Sequence, residues 1–359
     1  MDGGVGAKKP GVTSSQVAEH AGVSQSAVSR TFTPGASISS KTRAKVLASA
    51  KELGYRPNAI ARSLITNRSR IIAVVMAYLE NLFYPDVLEE LGRRLAAEDY
   101  HLLLFTGFMD RDSDPVFDQL MQYRVDGIIL ASTSLSSDLS EECATAGIPV
   151  VLFNRTTQRD AVSSVTTRNR DGGRKIAEFL VAGGHKSFGY IAGLESSSTN
   201  RDRFLGFAEG LQAHGFTDIA LGKGNYSRLD AEAAARDMLS GPNRPEAIFV
   251  ANDHMAVAVM DVARHEFGIA VPEQLSIVGY DDVGPARWTS YGITSMSQPL
   301  KKMVEATVDI LMDQITSGEI EAEHRILSGE LVVRTSARLP KTGVVDIDGR
   351  KLYRPKDTA

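Results

Sequence analysis

The sequence predicts a small all-α helix-turn-helix head joined to a two-lobed α/β core with parallel sheets and helices on both faces. Three observations carry this expectation. Two capped helix signatures meet at Gly22, apolar runs alternate with amphipathic helices after Arg70, and basic charge is concentrated before residue 71.

The head begins with Thr13 and Gln16, spaced as a capping box, followed by Val17, Ala18 and Ala21 on one face of a helix. Gly22 supplies the left-handed residue that a sharp reversal needs, and Val23 fills the corner. Ser24 is the next N-cap, opening a helix over 25–32 that buries Ala27, Val28 and Thr31. Gln25, Ser26, Ser29 and Arg30 then point outward, and such side chains read base edges and phosphates. Ser39 starts a third helix, 42–53, with Val46, Ala50 and Leu53 on one stripe and Gly54 as terminator.

Charge agrees with that reading. Residues 1–70 hold eleven Lys and Arg against three Asp and Glu, a net +8, whereas the whole chain carries −4 and residues 71–359 therefore −12. A basic end on an acidic body suits contact with phosphate at one end only. The single cysteine, Cys143, excludes an internal disulfide scaffold and points to a reducing compartment. Residues 1–11 lack an apolar signal core and no run is long enough to span a bilayer, so the expected location is cytoplasmic.

After Arg70 the period changes. Continuous apolar strands are expected at 71–77, 101–106, 127–131, 149–153, 188–193, 247–252 and 276–282. Helices are expected at 87–99, 116–123, 172–182, 203–214, 228–240, 255–267 and 303–316. Unbroken apolar strands need both faces covered, which means parallel sheets; two such units in series imply two lobes and a cleft. Ligands bind such sheets outside the carboxyl ends of the strands. Asn81, Phe83, Tyr84, Asn154, Arg155, Asn252, Asp253, Asp281 and Asp282 stand there, with Arg201, Arg203, Tyr226 and Trp288 nearby. Asp253 and Asp282 are read as cap residues. The remainder suits a small polar ligand, aromatic rings covering an apolar face while Arg and carboxylate forks hold hydroxyls or amides.

These stretches resemble the lactose-repressor/galactose-repressor (LacI/GalR) family of transcription factors from about Val12 to Ala337. The motifs are VAEHAGVSQSAVSR (17–30), ELGYRPNAIARSL (52–64), VDGIIL (125–130), AGIPVVLFNR (146–155), GHKSFGYIAG (184–193), RDRFLGF (201–207), VANDHMA (250–256), VPEQLSIVGYDD (271–282) and TSMSQPL (294–300). The resemblance implies a periplasmic-binding-protein-like core, divided as follows. Residues 1–10 are a disordered tail, 11–57 the DNA-binding domain, 58–69 a hinge helix and linker, 70–339 the effector-binding and dimerisation core, and 340–359 a polar tail. Lobe one takes about 70–167 and 298–328, lobe two about 168–297 and 329–339, with crossovers near Thr167, Ser297 and Gly329.

By the same resemblance, Thr13, Ser24, Gln25, Ser26, Ser29, Arg30, Asn58, Ala61 and Leu64 are DNA-binding positions, Leu64 being the wedge that enters the minor groove. Phe83, Tyr84, Asn154, Arg203, Tyr226, Asn252 and Asp281 match effector-binding positions. The implied partners are a pseudo-palindromic double-stranded operator, a small-molecule effector and a second copy in a homodimer, with no membrane, cofactor or metal. A sugar or sugar derivative is the expected effector, a purine-like corepressor the alternative. Leu82 replaces a usual proline, Thr33-Pro34 replaces a common Asn-Gly, and 341–359 lack the leucine heptad that makes tetramers. No nucleophile elbow, metal-ligand spacing or phosphate loop is present. The competing readings are a sensor whose head no longer reads DNA, and an enzyme using Asp281 or Cys143.

Overall fold

The computed structural model describes residues 12–33, 35–56, 68–76, 79–106, 119–131, 143, 145–157 and 162–355. The chain forms two compact units, 1–69 and 70–359.

In the first unit, α1 (Ser14–Ala21) starts on Thr13, with both halves of the capping box formed, and stops at Gly22 in the left-handed region at φ 62°. Ser24 caps α2 (Gln25–Thr31) by accepting from the Ala27 amide at 3.2 Å. Ser39 caps α3 (Ser40–Leu53), which Gly54 ends at φ 68°. Val17, Ala18, Ala21, Val28, Val46 and Ala50 make the core, with Val23, Phe32, Leu53 and Tyr55 packed around it. Arg43 Nη1 donates to the Thr31 carbonyl at 3.1 Å and ties α3 to the end of α2.

The second unit holds two sheets. In the first, β1 (Ile71–Met76), β2 (His101–Thr106), β3 (Gly127–Ala131), β4 (Val150–Phe153), β5 (Ser163–Thr167) and β11 (His324–Leu327) run parallel in the order β11-β5-β4-β3-β1-β2. In the second, β6 (Phe188–Ala192), β7 (Ile219–Lys223), β8 (Ala247–Val250), β9 (Ser276–Asp281) and β10 (Thr294–Ser297) are parallel. They are extended by antiparallel β12 (Leu331–Val332), β13 (Val344–Ile347) and β14 (Arg350–Tyr353), in the order β13-β14-β12-β10-β9-β8-β6-β7. The helices are α4 (Phe83–Ala97), α5 (Asn169–Ala182), α6 (Ser198–Gln212), α7 (Arg228–Ser240), α8 (Asp253–Asp261, with a π-helical turn to Glu266) and α9 (Leu300–Ser317).

The chain passes between the sheets after Thr167, after Ser297 and after Leu327. These crossings are laced together. Arg168 N donates to the Leu327 carbonyl at 2.9 Å, and Ser297 N to the Glu330 carbonyl at 2.8 Å. A Cβ on Gly329 would overlap the Ser297 carbonyl, so the second and third crossings lie backbone against backbone.

Several elements depart from expectation. α5, α6, α8 and α9 each begin two to five residues earlier than the apolar pattern suggests, because their first turns are polar. Residues 344–353, read as part of a polar tail, form a hairpin instead. The reason is the open edge of β12, to which β14 pairs while burying Leu352 and Tyr353, the latter with its ring 5.2 Å from that of Phe179. Cys143 is buried. Among the described residues no helix is long and apolar enough to cross a membrane.

Candidate DNA-reading surface and ligand cleft

On the head, Thr13, Ser24, Gln25, Ser26, Ser29 and Arg30 are all exposed. Their side chains are aligned by hydrogen bonds among themselves: Gln25 Nε2 donates to Ser14 Oγ at 3.0 Å, and the Ser24 and Ser26 hydroxyls lie 2.9 Å apart. The α2 face is thus a row of donors and acceptors with one cation, braced from α1. Asn58, Ala61 and Leu64 lie outside the described residues.

In the second unit the strand ends are bent into a sparsely populated conformation. Asn154 (φ 59°) follows β4, Asn225 and Tyr226 (51° and 58°) follow β7, and Asp281 and Asp282 (107° and 58°) end β9. Each costs on the order of 1–3 kcal/mol, and such strain concentrates at binding sites.

Arg203 is the hub. Its guanidinium, 2% exposed, donates from Nη1 to the Ala251 carbonyl (2.6 Å), from Nε to Asn169 Oδ1 (2.9 Å) and from Nη2 to Asp281 Oδ1 (3.3 Å), with the Tyr280 ring 3.6 Å away. Burial alone would drive its pKa down, but Asp281 more than reverses this and it stays fully charged. Burial pushes the Asp281 carboxyl up to about 6, opposed by Arg203 and by the Gln298 amide, which donates to Oδ1 at 2.7 Å. Two glycines let α6 approach α5 this closely: a Cβ on Gly173 would overlap the Arg203 carbonyl, and one on Gly206 the Arg170 carbonyl.

Around this pair the expected residues take mixed roles. Tyr226 is buried, with its hydroxyl 3.1 Å from Thr199 Oγ1 and its ring against Gly193, where a Cβ would overlap it. Phe83 and Tyr84 are both 2% exposed and sit in the hydrophobic core, Phe83 stacked 6.4 Å from Phe153. Asn81 rather than Leu82 steadies that turn, its Oδ1 accepting from the Phe83 amide at 3.1 Å. Asn252 caps α8, its Oδ1 accepting from the Met255 amide at 3.0 Å, while its Nδ2 is buried without a partner. Asn154 Oδ1 is buried and unpartnered too.

The two aspartates read as caps are not helix caps. Asp253 Oδ2 accepts from the Val283 amide (3.0 Å) and Ser295 Oγ (2.9 Å), bracing the loop after β9, and burial beside Asp281 pushes its carboxyl well above the usual range. Asp282 collects Arg334 at 2.6 Å, Arg287 at 3.2 Å and Arg350 at 3.5 Å, the last from the C-terminal hairpin. Arg201 is exposed and pairs with Asp202, and Trp288 is 59% exposed; neither joins the cluster. Arg155, expected from its place directly after Asn154, joins the cluster, and the structure adds Ser197, Asn169 and Gln298; Asn169 and Gln298 carry no sequence signal beyond being polar near a crossover. A hollow of about 600 Å³ between β7 and α7 is lined by none of the expected effector residues.

Two family models match the chain: "Bacterial regulatory proteins, lacI family" over residues 14–58 and "Periplasmic binding protein-like domain" over residues 177–337. Among curated relatives, the HTH-type transcriptional repressor PurR of Edwardsiella ictaluri is 30% identical over 329 residues, 90% of this chain and 96% of that protein. The HTH-type transcriptional regulator CelR of Thermobifida fusca is 31% identical over 333 residues, 90% and 98% respectively. Among solved structures, a lac repressor dimer bound to operator and the anti-inducer ONPF superposes with a TM-score of 0.81 at 28% identity, covering 91% of this chain and 99% of that one. A CelR–cellobiose complex gives 0.68 at 29% identity, covering 90% and 99%.

Proposed function

Since the chain belongs to the lacI family of bacterial regulatory proteins, we propose that it is a homodimeric transcriptional repressor working in the cytoplasm, its operator binding controlled by a small effector held between the two sheets. It is a regulator and not an enzyme. The carrying observation is the coexistence of two prepared surfaces. The exposed Gln25, Ser26, Ser29 and Arg30 row faces outward from α2, and the Arg203–Asp281 pair is surrounded by strained strand ends and unpartnered amides.

Two copies about a two-fold axis present two α2 helices to inverted half-sites, the arrangement a dimeric helix-turn-helix requires. The effector acts only through its different affinity for the two core conformations. The three laced crossovers are the hinge about which those conformations differ, and residues 58–65 carry the change to the head. Asn154 Oδ1 and Asn252 Nδ2 offer one acceptor and one donor, and Asp281 a further acceptor, beside the Tyr226 ring. Paired polar groups around an aromatic wall suit a sugar or sugar derivative, with no cofactor. A purine-like corepressor would use the same arginine and carboxylate forks.

Selection and sequencing of genomic fragments bound by the purified protein at one near-physiological salt concentration tests the reading, since phosphate binding alone varies steeply with salt. A palindrome with a deformable central step is expected, with or without added metabolites. Fragments showing no common motif under any effector condition would reduce the protein to a sensor with a head that does not read DNA.

A further inference from the structure

Arg155 is the charge that the cleft does not balance. It follows β4 of the first sheet and reaches the second, where its Nη1 donates to Ser197 Oγ at the start of α6, and its guanidinium carbon stands 5.8 Å from the Tyr226 ring centroid. The residue is 8% exposed, and its Nε is buried with no partner. Among the described residues, no carboxylate forms an ion pair with it: Asp281, the buried acid that its charge influences, is engaged by Arg203 and Gln298. Asp253 and Asp282 are the other buried acids here: burial pushes the Asp253 carboxyl well above the usual range, and Asp282 is engaged by Arg334, Arg287 and Arg350. Of the two buried guanidinium groups, Arg203 has an ion-paired carboxylate and, among the described residues, Arg155 has none.

The surroundings add to the positive field. α6 and α8 both begin at this cluster, on Ser197 and Asn252, and helix N-termini are the positive ends of their dipoles. A guanidinium taken out of water without a counter-charge carries a large desolvation penalty, which a structure retains where a ligand supplies the missing charge. With Nη1 occupied, the edge left over is the one formed by Nε and Nη2, two parallel N–H groups whose spacing matches a carboxylate or phosphate. Asn154 Oδ1, on the preceding residue, is likewise buried without a donor, and Asn252 Nδ2, at the start of α8, without an acceptor.

We infer that the effector is an anion: a polyhydroxylated small molecule bearing one carboxylate or phosphoryl group, which seats on the Nε and Nη2 edge of Arg155 while its hydroxyls meet Asn154, Asn252 and Asp281. The inference rests on the effector cleft proposed above and names the chemical class that enters it. Arg155 is a specificity residue under this assignment: it separates an acidic sugar from its neutral parent, and the Arg203–Asp281 pair serves the hydroxyls common to both. The same contact links the sheets, since one guanidinium touches the ligand, Ser197 and Tyr226 together.

The test uses the full chain, at constant ionic strength, titrated by calorimetry with glucose, glucuronate and glucose 6-phosphate, and with galactose and galacturonate. Wild type, Arg155→Met and Asn252→Ser are compared, serine keeping the helix cap while removing the amide donor. The expected result is that an acid binds at least about tenfold more tightly than its neutral parent, and that Arg155→Met abolishes this preference. Preference for glucuronate or for glucose 6-phosphate identifies carboxylate or phosphoryl as the anionic group. Thermal unfolding without ligand is the companion readout and needs no ligand to be found: Arg155→Met, which deletes an unbalanced buried charge, should raise Tm by about 2 °C or more. A fall in Tm would overturn the proposal by showing that the guanidinium is satisfied in the unliganded protein, as would neutral parents that bind as well as their acids. Acid binding that neither Arg155→Met nor Asn252→Ser weakens would place the ligand elsewhere and remove the effector cleft itself.

Discussion

Asp281 and Gln298 are joined by two hydrogen bonds: Gln298 Nε2 donates to Asp281 Oδ1 at 2.7 Å, and the Gln298 main-chain amide donates to the Asp281 carbonyl at 3.2 Å. Gln298 belongs to the second crossover, and its Oε1 accepts from Thr167 Oγ1 in the first at 3.4 Å. The carboxylate that pairs with Arg203 is therefore wired into two of the three strands of chain that join the sheets. Under the proposed function, a ligand that displaces Asp281 pulls on both of these crossovers.

That wiring predicts a separation of binding from response. Gln298→Met keeps the volume and the main-chain bond but removes the amide. Operator anisotropy titrations with and without saturating effector should show the effector's influence on operator affinity cut at least about fivefold, with effector affinity itself changed less than about tenfold. Loss of both in equal measure would mean that Gln298 is only a ligand contact.

Stability should depend on pH through Asp281. Its carboxyl, pushed up to about 6 by burial, keeps a proton that the unfolded chain, with a carboxyl near 3.8, has already released. Between about pH 4 and pH 6 the folded state binds more protons than the unfolded one, so this contribution is present below that window and is lost as pH rises through it. Its size is bounded at about 3 kcal/mol. Urea unfolding of wild type and Asp281→Asn at about pH 4.5 and 6.5 checks this. The wild type should lose more stability than the variant on going to the higher pH; parallel losses would contradict it.

The close approach of α5 and α6 admits no side chain. Gly206→Ala places a methyl group on the Arg170 carbonyl, and backbone cannot rotate aside. The cost is about 1–3 kcal/mol or more, with α6 displaced and Arg203 shifted off the Ala251 carbonyl. Chemical denaturation reads the first effect and effector affinity the second. An unchanged midpoint would show that the two helices can part without penalty.

On the head, Ser24 and Arg30 should fail in different ways. Ser24→Ala removes the α2 cap, costing about 1 kcal/mol of stability. Arg30→Ala leaves the fold intact, because Arg30 is exposed and its guanidinium makes only a 3.4 Å contact with the Ser26 carbonyl. Operator binding across salt concentrations distinguishes its target. A salt slope reduced by about 1 marks a phosphate contact, whereas relaxed preference at one base pair at constant slope marks a base contact. Unaltered binding would remove Arg30 from the DNA surface.

The parts that were legible in the residues are those whose cause is local. Thr13 with Gln16, Ser24, Gly22 and Gly54 set the helix ends through bonds three or four residues long, and each forms as expected. The apolar runs of β1, β3, β4, β8 and β9 announce strands buried on both faces. β5, Ser-Ser-Val-Thr-Thr, does not: its hydroxyls are buried because distant groups satisfy them, Ser163 by Gln314 and the Glu323 amide, Ser164 by His324. The hairpin over β13 and β14 exists because β12 offers an edge, a fact that no window of sequence around residue 350 contains. The same holds for the cleft. Arg203, Asp281 and Asn252 could be selected as strand-end and helix-start polar residues. That Asn252 spends one amide atom on a cap, that Asp253 braces a loop, and that Arg155 is buried without a counter-charge were decided by tertiary structure, because partnering is a property of groups brought together from far along the chain.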